Sequence, residues 1–148
     1  MVMPVGSLEY SARVREEWID YNGHLSEPFY VLIFGDATTA MMDVVGIDAE
    51  YRSATDSSLY TVEAHVRYLR EVGLGAEVRV HTKVLSVSGK KLRFCHEMFH
   101  ERSLVATEEL LALHVSAGKA AAFPEHIAAR LECHIGKAPD YAGRAIYT

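Results

Sequence analysis

Leu8, Tyr10, Ala12 and Val14 alternate with Glu9, Ser11, Arg13 and Arg15. A period of two places the apolar set on one face and predicts a half-buried strand. The pattern then changes. From Phe29 to Val45 the chain is almost wholly apolar, with Asp36 and Asp43 the charged exceptions. This predicts a helix starting at about Ser26 or Glu27. Serine suits an N-cap, Pro28 suits a first turn where a missing N–H costs nothing, and Gly46 suits the C-terminal stop. A helix apolar nearly all round is expected to be buried. After a polar loop, alternation returns. Tyr60, Val62, Ala64, Val66 and Tyr68 alternate with Thr61, Glu63, His65 and Arg67. Val78, Val80, Thr82 and Val84 alternate with Glu77, Arg79, His81 and Lys83. Ser88 and Gly89 read as a tight hairpin turn. Leu92 to Phe99 and Leu104 to Val115 complete the strands, the last with an expected irregularity at Glu108 and Glu109. Pro124 to about Cys133 predicts a short terminal helix.

The order is strand, long helix, then four strands in an expected meander. Helix and strands are segregated, so the predicted class is α+β, a five-stranded antiparallel sheet wrapped around one central helix. A single curled sheet leaves edges open, and pairing with a second copy closes them, so a homodimer or homotetramer is expected. One domain is expected over residues 1–148, with a core at about 8–117 and a C-terminal helix and tail at about 124–148.

Composition narrows the function. A 148-residue chain with 49% hydrophobic residues can build a core without disulfides. The net charge of −5, with no basic stripe, argues against nucleic acid as the main partner. Cys95 lies in a strand-like run, as buried free thiols do, and it is far in sequence from Cys133, so a reducing cytoplasm is expected. The N-terminus lacks a signal peptide's charged start and apolar stretch. No run reaches the roughly 20 apolar residues of a membrane span. His96 and His100 share a strand face but stand on the order of 13 Å apart, too far to chelate one ion. No Cys or His pair has zinc-like spacing, and there is no Gly-x-Ser-x-Gly elbow, P-loop or dinucleotide fingerprint. No metal and no cofactor are expected.

The segment from Trp18 to Tyr30 carries the chemistry. Asp20, Tyr21, Asn22 and Gly23 form an Asp-x-x-Gly loop, followed by Pro28, Phe29 and Tyr30 at the helix start. With the strand order, this resembles the hotdog-fold acyl-CoA thioesterases of the 4-hydroxybenzoyl-CoA thioesterase type, over about residues 8–117. The same segment, with His65 to Arg70, is similar to the thioesterases associated with carnitine dehydrogenase. The resemblance implies hydrolysis of a short polar acyl-CoA, with betainyl-CoA of carnitine catabolism the first substrate, at sites on a protomer interface. Phe29 departs from the pattern: many members carry Asn there.

Thioester hydrolysis needs a nucleophile, or a base for water, and donors for the carbonyl oxygen as it gains charge. Asp20 suits either of the first two roles, though a loop aspartate also caps turns. By analogy with the family, the amide of Glu27 faces the carbonyl oxygen. Glu63 is a rival or assistant carboxylate, sharing a strand face with His65; the bland alternative is a solvated face or a dimer contact. His24 could orient water or substrate, or simply cap the loop. Gly23 could let the loop approach the ligand closely, or serve only the turn. A betaine group has no hydrogen bond to give and is held by aromatic faces and carboxylates. Trp18, Tyr21, Tyr30 and Tyr68 are available, unless they serve only packing. For the phosphates of coenzyme A, the candidates are Arg67, Arg70, Lys90, Lys91 and Arg93, against the alternative that they are merely solvated. Two rivals remain: a hotdog-fold dehydratase or hydratase using Asp20 and His24, and a non-catalytic acyl-CoA-binding module.

Overall fold

The computed structural model describes residues 8–146. The alternating segments form strands β1 (Glu9–Arg13), β2 (Ser57–Tyr68), β3 (Glu77–Ser88), β4 (Lys91–His100) and β5 (Ser103–Ser116). A two-residue strand β6 (Lys119–Ala120), not predicted, pairs with the end of β5. The apolar run forms α1 (Glu27–Val45), with Ser26 as N-cap and Gly46 as C-cap at φ +96°. The polar loop after it contains a short helix, α2 (Ala49–Thr55), capped by the Asp48 side chain accepting from Tyr51 N–H at 2.9 Å. The terminal helix is α3 (Glu125–Glu132).

The sheet is antiparallel and runs in the order β1-β3-β4-β5-β2. Only β3, β4 and β5 form a meander. The expectation that β2 also belongs to it is overturned, because β2 pairs with β5 at the far edge. Alternation identifies strands but not their neighbours. Here α1 carries the chain from the β1 edge across the inner face, so β2 emerges on the other side.

Two apolar clusters fill the space between sheet and helix. Tyr30, Ile33, Phe34 and Ala37 from the first half of α1 meet Val78, Val80 and Met98. Met41, Met42 and Val45 from its second half meet Phe94, Leu110, and Ile127 and Leu131 of α3. Fully buried side chains of this size contribute roughly 1.5–3 kcal/mol each. The prediction of an all-round buried helix is corrected: Val31 and Leu32 are 41% and 44% exposed on the face turned from the sheet. At nineteen residues α1 also has the length and composition to cross a membrane, contrary to the sequence estimate, but its buried stripe packs on the sheet.

A bulge at Val62 breaks the pairing of β2 with β5 between Thr61 and Glu63. Before it Leu59 and Thr61 share the inner face, opposite His114 and Ala112; after it Ala64, Val66 and Tyr68 do, opposite Leu110, Glu108 and Ala106. Glu63, His65 and Arg67 therefore point to the outer face. No irregularity occurs at Glu108 and Glu109, which pair in regular register with His96 and Cys95. Part of the outer face is covered by the C-terminal tail. There Tyr141 is buried, its hydroxyl donating to Glu97 Oε2 at 3.0 Å, and Gly143 N–H donates to the Glu109 carboxylate at 3.1 Å.

Candidate active site

The loop from β1 to α1 is tied down by its own backbone. Asp20 N–H donates to the His24 carbonyl at 3.1 Å, and Gly23 N–H to the Asp20 carbonyl at 2.9 Å. Leu25 N–H donates to the Val72 carbonyl and Ser26 N–H to the Trp18 carbonyl, each at 2.8 Å, anchoring the loop on both sides. Gly23 takes φ +79°, a left-handed conformation that favours glycine in the turn, and the space beside it is open. Asp20 is half-buried, and its Oδ1 accepts from Asn22 N–H at 2.9 Å. It closes an Asx turn and still makes no ion pair among the described residues.

The helix start beside it is under-capped. Ser26 makes no side-chain cap, Pro28 has no N–H, and Phe29 N–H is taken by the Ser26 carbonyl at 2.9 Å. Among the described residues the Glu27 N–H is thus the first-turn donor left without a partner, at the positive end of α1. Asp20 and Glu27 line one open cleft of about 820 Å3 with Tyr21, Ser26, Tyr30, Tyr68, Arg70 and Glu71 among its other walls. Tyr21 is 97% exposed at its rim. Tyr30 is buried, donates its hydroxyl to the Arg70 carbonyl at 3.0 Å, and meets Tyr68 edge-on at 5.2 Å between centroids. Burial first, and then nearby carboxylates, raise the pKa of both phenols, so both stay neutral donors. His24 Nε2 lies 3.2 Å from Glu71 Oε2 at the loop's outer side.

The remaining predicted residues stand elsewhere in this chain. Trp18 is buried outside the cleft, stacked on Phe29 at 5.9 Å with the Arg15 guanidinium 5.1 Å from its ring centroid. Glu63 is exposed on the outer face of the β2 edge, and His65 on the same face has a buried Nδ1 without a hydrogen-bond partner among the described residues. Arg67 lies over the Tyr141 ring at 5.1 Å, also on the outer face. Arg93 is removed from the phosphate-binding set: its guanidinium pairs with the buried Glu109 carboxylate at 2.6 Å. Lys90 and Lys91 sit at the β3–β4 hairpin, a β3 length of roughly 40 Å from the Asp20 end. His96 is fully buried, with Thr38 and Thr82 hydroxyls 2.8 Å from its two ring nitrogens, and burial pushes its pKa down to about 3. Among the described residues no three His, Cys, Asp or Glu side chains gather as a metal site would need.

Sequence reading missed Glu71, which follows β2 with no periodic signal, and Leu25 and Leu69, apolar cleft walls. It also missed Glu108, for which a signal existed: a carboxylate pair inside an apolar strand.

The family model of the Thioesterase-like superfamily matches residues 14–131. The chain belongs to this superfamily. Among its thioesterase-like relatives, the betainyl-CoA thioesterase of Pseudomonas aeruginosa is 40% identical over 127 residues, covering 83% of this chain and 80% of that protein. The L-carnitine dehydrogenase/betainyl-CoA thioesterase of Agrobacterium fabrum is 41% identical over 147 residues. The match covers 93% of this chain but only 30% of that longer protein. A solved structure from Pseudomonas putida superposes with a TM-score of 0.83 at 39% identity, covering 99% of each chain. The sheet curled around α1 is the hotdog fold.

Proposed function

We propose that this protein is an acyl-CoA thioesterase for a short, polar acyl group, with betainyl-CoA the first substrate. One observation carries the reading: Asp20 and Glu27, whose N–H no described residue claims, line the same cleft. Asp20 attacks the thioester carbonyl carbon, expelling the CoA thiolate and leaving a mixed anhydride that water opens, or it takes the proton from an attacking water. In either route the carbonyl oxygen gains charge beside the positive end of α1, where a fixed N–H stabilises it. The identity to two proteins named for betainyl-CoA thioesterase supports the acyl group, as do the Tyr30 and Tyr68 rings.

The edge strand β2 supports a dimer. From Tyr60 to Ala64 it is exposed on both faces, with Tyr60 and Val62 57% and 50% exposed. Antiparallel pairing of two β2 strands sets one protomer's hairpin, with Lys90 and Lys91, at the same end as its partner's cleft, where Arg70 already stands. That is where CoA phosphates would lie. Glu63 and His65 then fall at the seam. The chemistry needs no metal or cofactor beyond the thioester itself. Free thiols at Cys95 and Cys133 are compatible with a cytoplasmic setting.

The test is purified protein against a panel of acyl-CoAs, with thiol release monitored. Asp20→Asn is expected to lower kcat/KM by about 100-fold or more while the protein still folds and binds CoA. Full activity in Asp20→Asn, with Glu63→Gln dead, would transfer the role to Glu63. Hydration of an enoyl-CoA without thiol release would replace the thioesterase reading with a hydratase.

A further inference from the structure

Glu108 has an unusual position for a carboxylate. It is 3% exposed, yet it makes no hydrogen bond or ion pair among the described residues. Burying a charge alone is costly, so such a group is ordinarily paired. Its neighbour Glu109 shows the ordinary solution, on the other face of the strand with Arg93 and the Gly143 N–H. Glu108 faces α1, because its cross-strand partner His96 reaches Thr38 of that helix. On its other side it is opposite Val66 of β2, and Tyr68 is the next inward-facing residue on that strand. Diagonal neighbours of this kind stand about 7–8 Å apart between backbones. Tyr68 is a wall of the Asp20 cleft and feels the charges of both Glu27 and Glu108. Glu108 is thus not itself a wall of the cleft but lies one inward-facing residue pair along the sheet from Tyr68, which is.

We propose that Glu108 is the specificity-determining counter-ion for a cationic acyl group, the quaternary ammonium entering past Tyr68 to lie between its ring and the Glu108 carboxylate. This rests on the thioesterase reading and on a cationic substrate. A quaternary ammonium cannot donate a hydrogen bond, so it needs a desolvated negative group and aromatic faces. Glu108 and the edge-to-face pair of Tyr30 and Tyr68 supply that combination. In betainyl-CoA the nitrogen is two bonds from the reacting carbonyl carbon, so its counter-ion must lie just beyond the oxyanion site. Tyr68, which lines the cleft with Glu27 and is the diagonal cross-strand neighbour of Glu108, marks that position.

The titratable groups facing Glu108 are His96 from β4, Tyr68 from β2 and, beyond Tyr68, Glu27 at the start of α1. His96 and Tyr68 are neutral near pH 7, so the carboxylate has no cationic partner in the empty protein. The test compares betainyl-CoA with 3,3-dimethylbutyryl-CoA, in which carbon replaces the charged nitrogen. Glu108→Gln is expected to lower the betainyl preference, as a ratio of kcat/KM values, by about ten-fold or more. Glu108→Asp keeps part of it. Thermal unfolding of each variant shows that the fold is retained. In the wild type, KM for betainyl-CoA alone should fall as pH rises through about 7, where burial holds the Glu108 pKa. If the wild type prefers the cationic thioester and Glu108→Gln keeps that preference, the role of Glu108 is overturned and the betainyl reading stands. If the wild type shows no preference, the cationic-acyl reading falls and takes the counter-ion with it.

Discussion

Glu108 and Glu109 are adjacent, both buried, and opposite in fate. Strand alternation sends Glu109 outward to a guanidinium and Glu108 inward, beside the buried neutral His96. Desolvation favours the neutral acid, so the Glu108 pKa rises from 4.5 to about 7. A raised carboxyl pKa means that the folded state holds the proton more tightly than the unfolded state. The associated stability is full below about pH 4.5 and is lost as pH climbs through about 7. Glu108→Gln is neutral at every pH, so its stability relative to wild type should grow from pH 5 to pH 8, by roughly 3 kcal/mol at most. Urea unfolding at the two pH values checks this, and an unchanged difference refutes it. His96 works in the opposite direction, opposing the native state as pH falls below 6.5, but equally in both proteins. Asp20 was legible as a residue because its neighbours carry a spacing. Glu108 was not, because alternation alone cannot say whether a carboxylate finds a cation across the sheet.

The boundaries of α1 were readable because caps are local. Pro28 and Gly46 act within a turn of their own positions, and Ser26 takes the N-cap position with extended backbone though its side chain makes no cap hydrogen bond. Gly46 holds φ +96°, and an added Cβ would meet the Arg130 guanidinium at 2.8 Å. That side chain can move, but the left-handed backbone cannot relax without uncapping α1. Gly46→Ala is therefore expected to cost about 1–2 kcal/mol, measured as a lowered midpoint in chemical unfolding. No measurable loss would show that the helix end is not constrained. The bulge at Val62 was not readable. Alternation looks continuous through it, since Tyr60, Val62, Ala64 and Val66 are all apolar, and only the pairing with β5 shows the face exchange. That exchange turns Tyr68 toward the cleft and Glu63 away from it.

At the scale of the molecule, the sheet order decides which surfaces are left open. With β2 at the edge rather than inside a meander, Tyr60 and Val62 lie on an unpaired strand, and the exposed side of α1 adds Val31 and Leu32. If two β2 edges pair as proposed, Val62→Lys puts a charge in that seam and is expected to lower the mass from dimer to monomer in light scattering, with thiol release falling in parallel. An unchanged mass would place the subunit contact elsewhere. The opposite ends of the sheet also separate the expected phosphate ligands, Arg70 at the cleft and Lys90 and Lys91 at the β3–β4 hairpin.

By itself the sequence determined the five long strands, α1 and α3, the α+β class, and the joining of Asp20 to the first turn of α1, but neither α2 nor β6. Those depend on periodicity, caps and short spacings, which act over a few residues. Tertiary structure alone decided that β2 lies beside β5, that Arg93 serves Glu109, that Trp18 stands outside the cleft and that Glu108 is buried without a partner among the described residues. Each of these depends on which distant strands meet and on which face a side chain emerges. One bulge or one crossing helix changes that outcome without changing the local pattern.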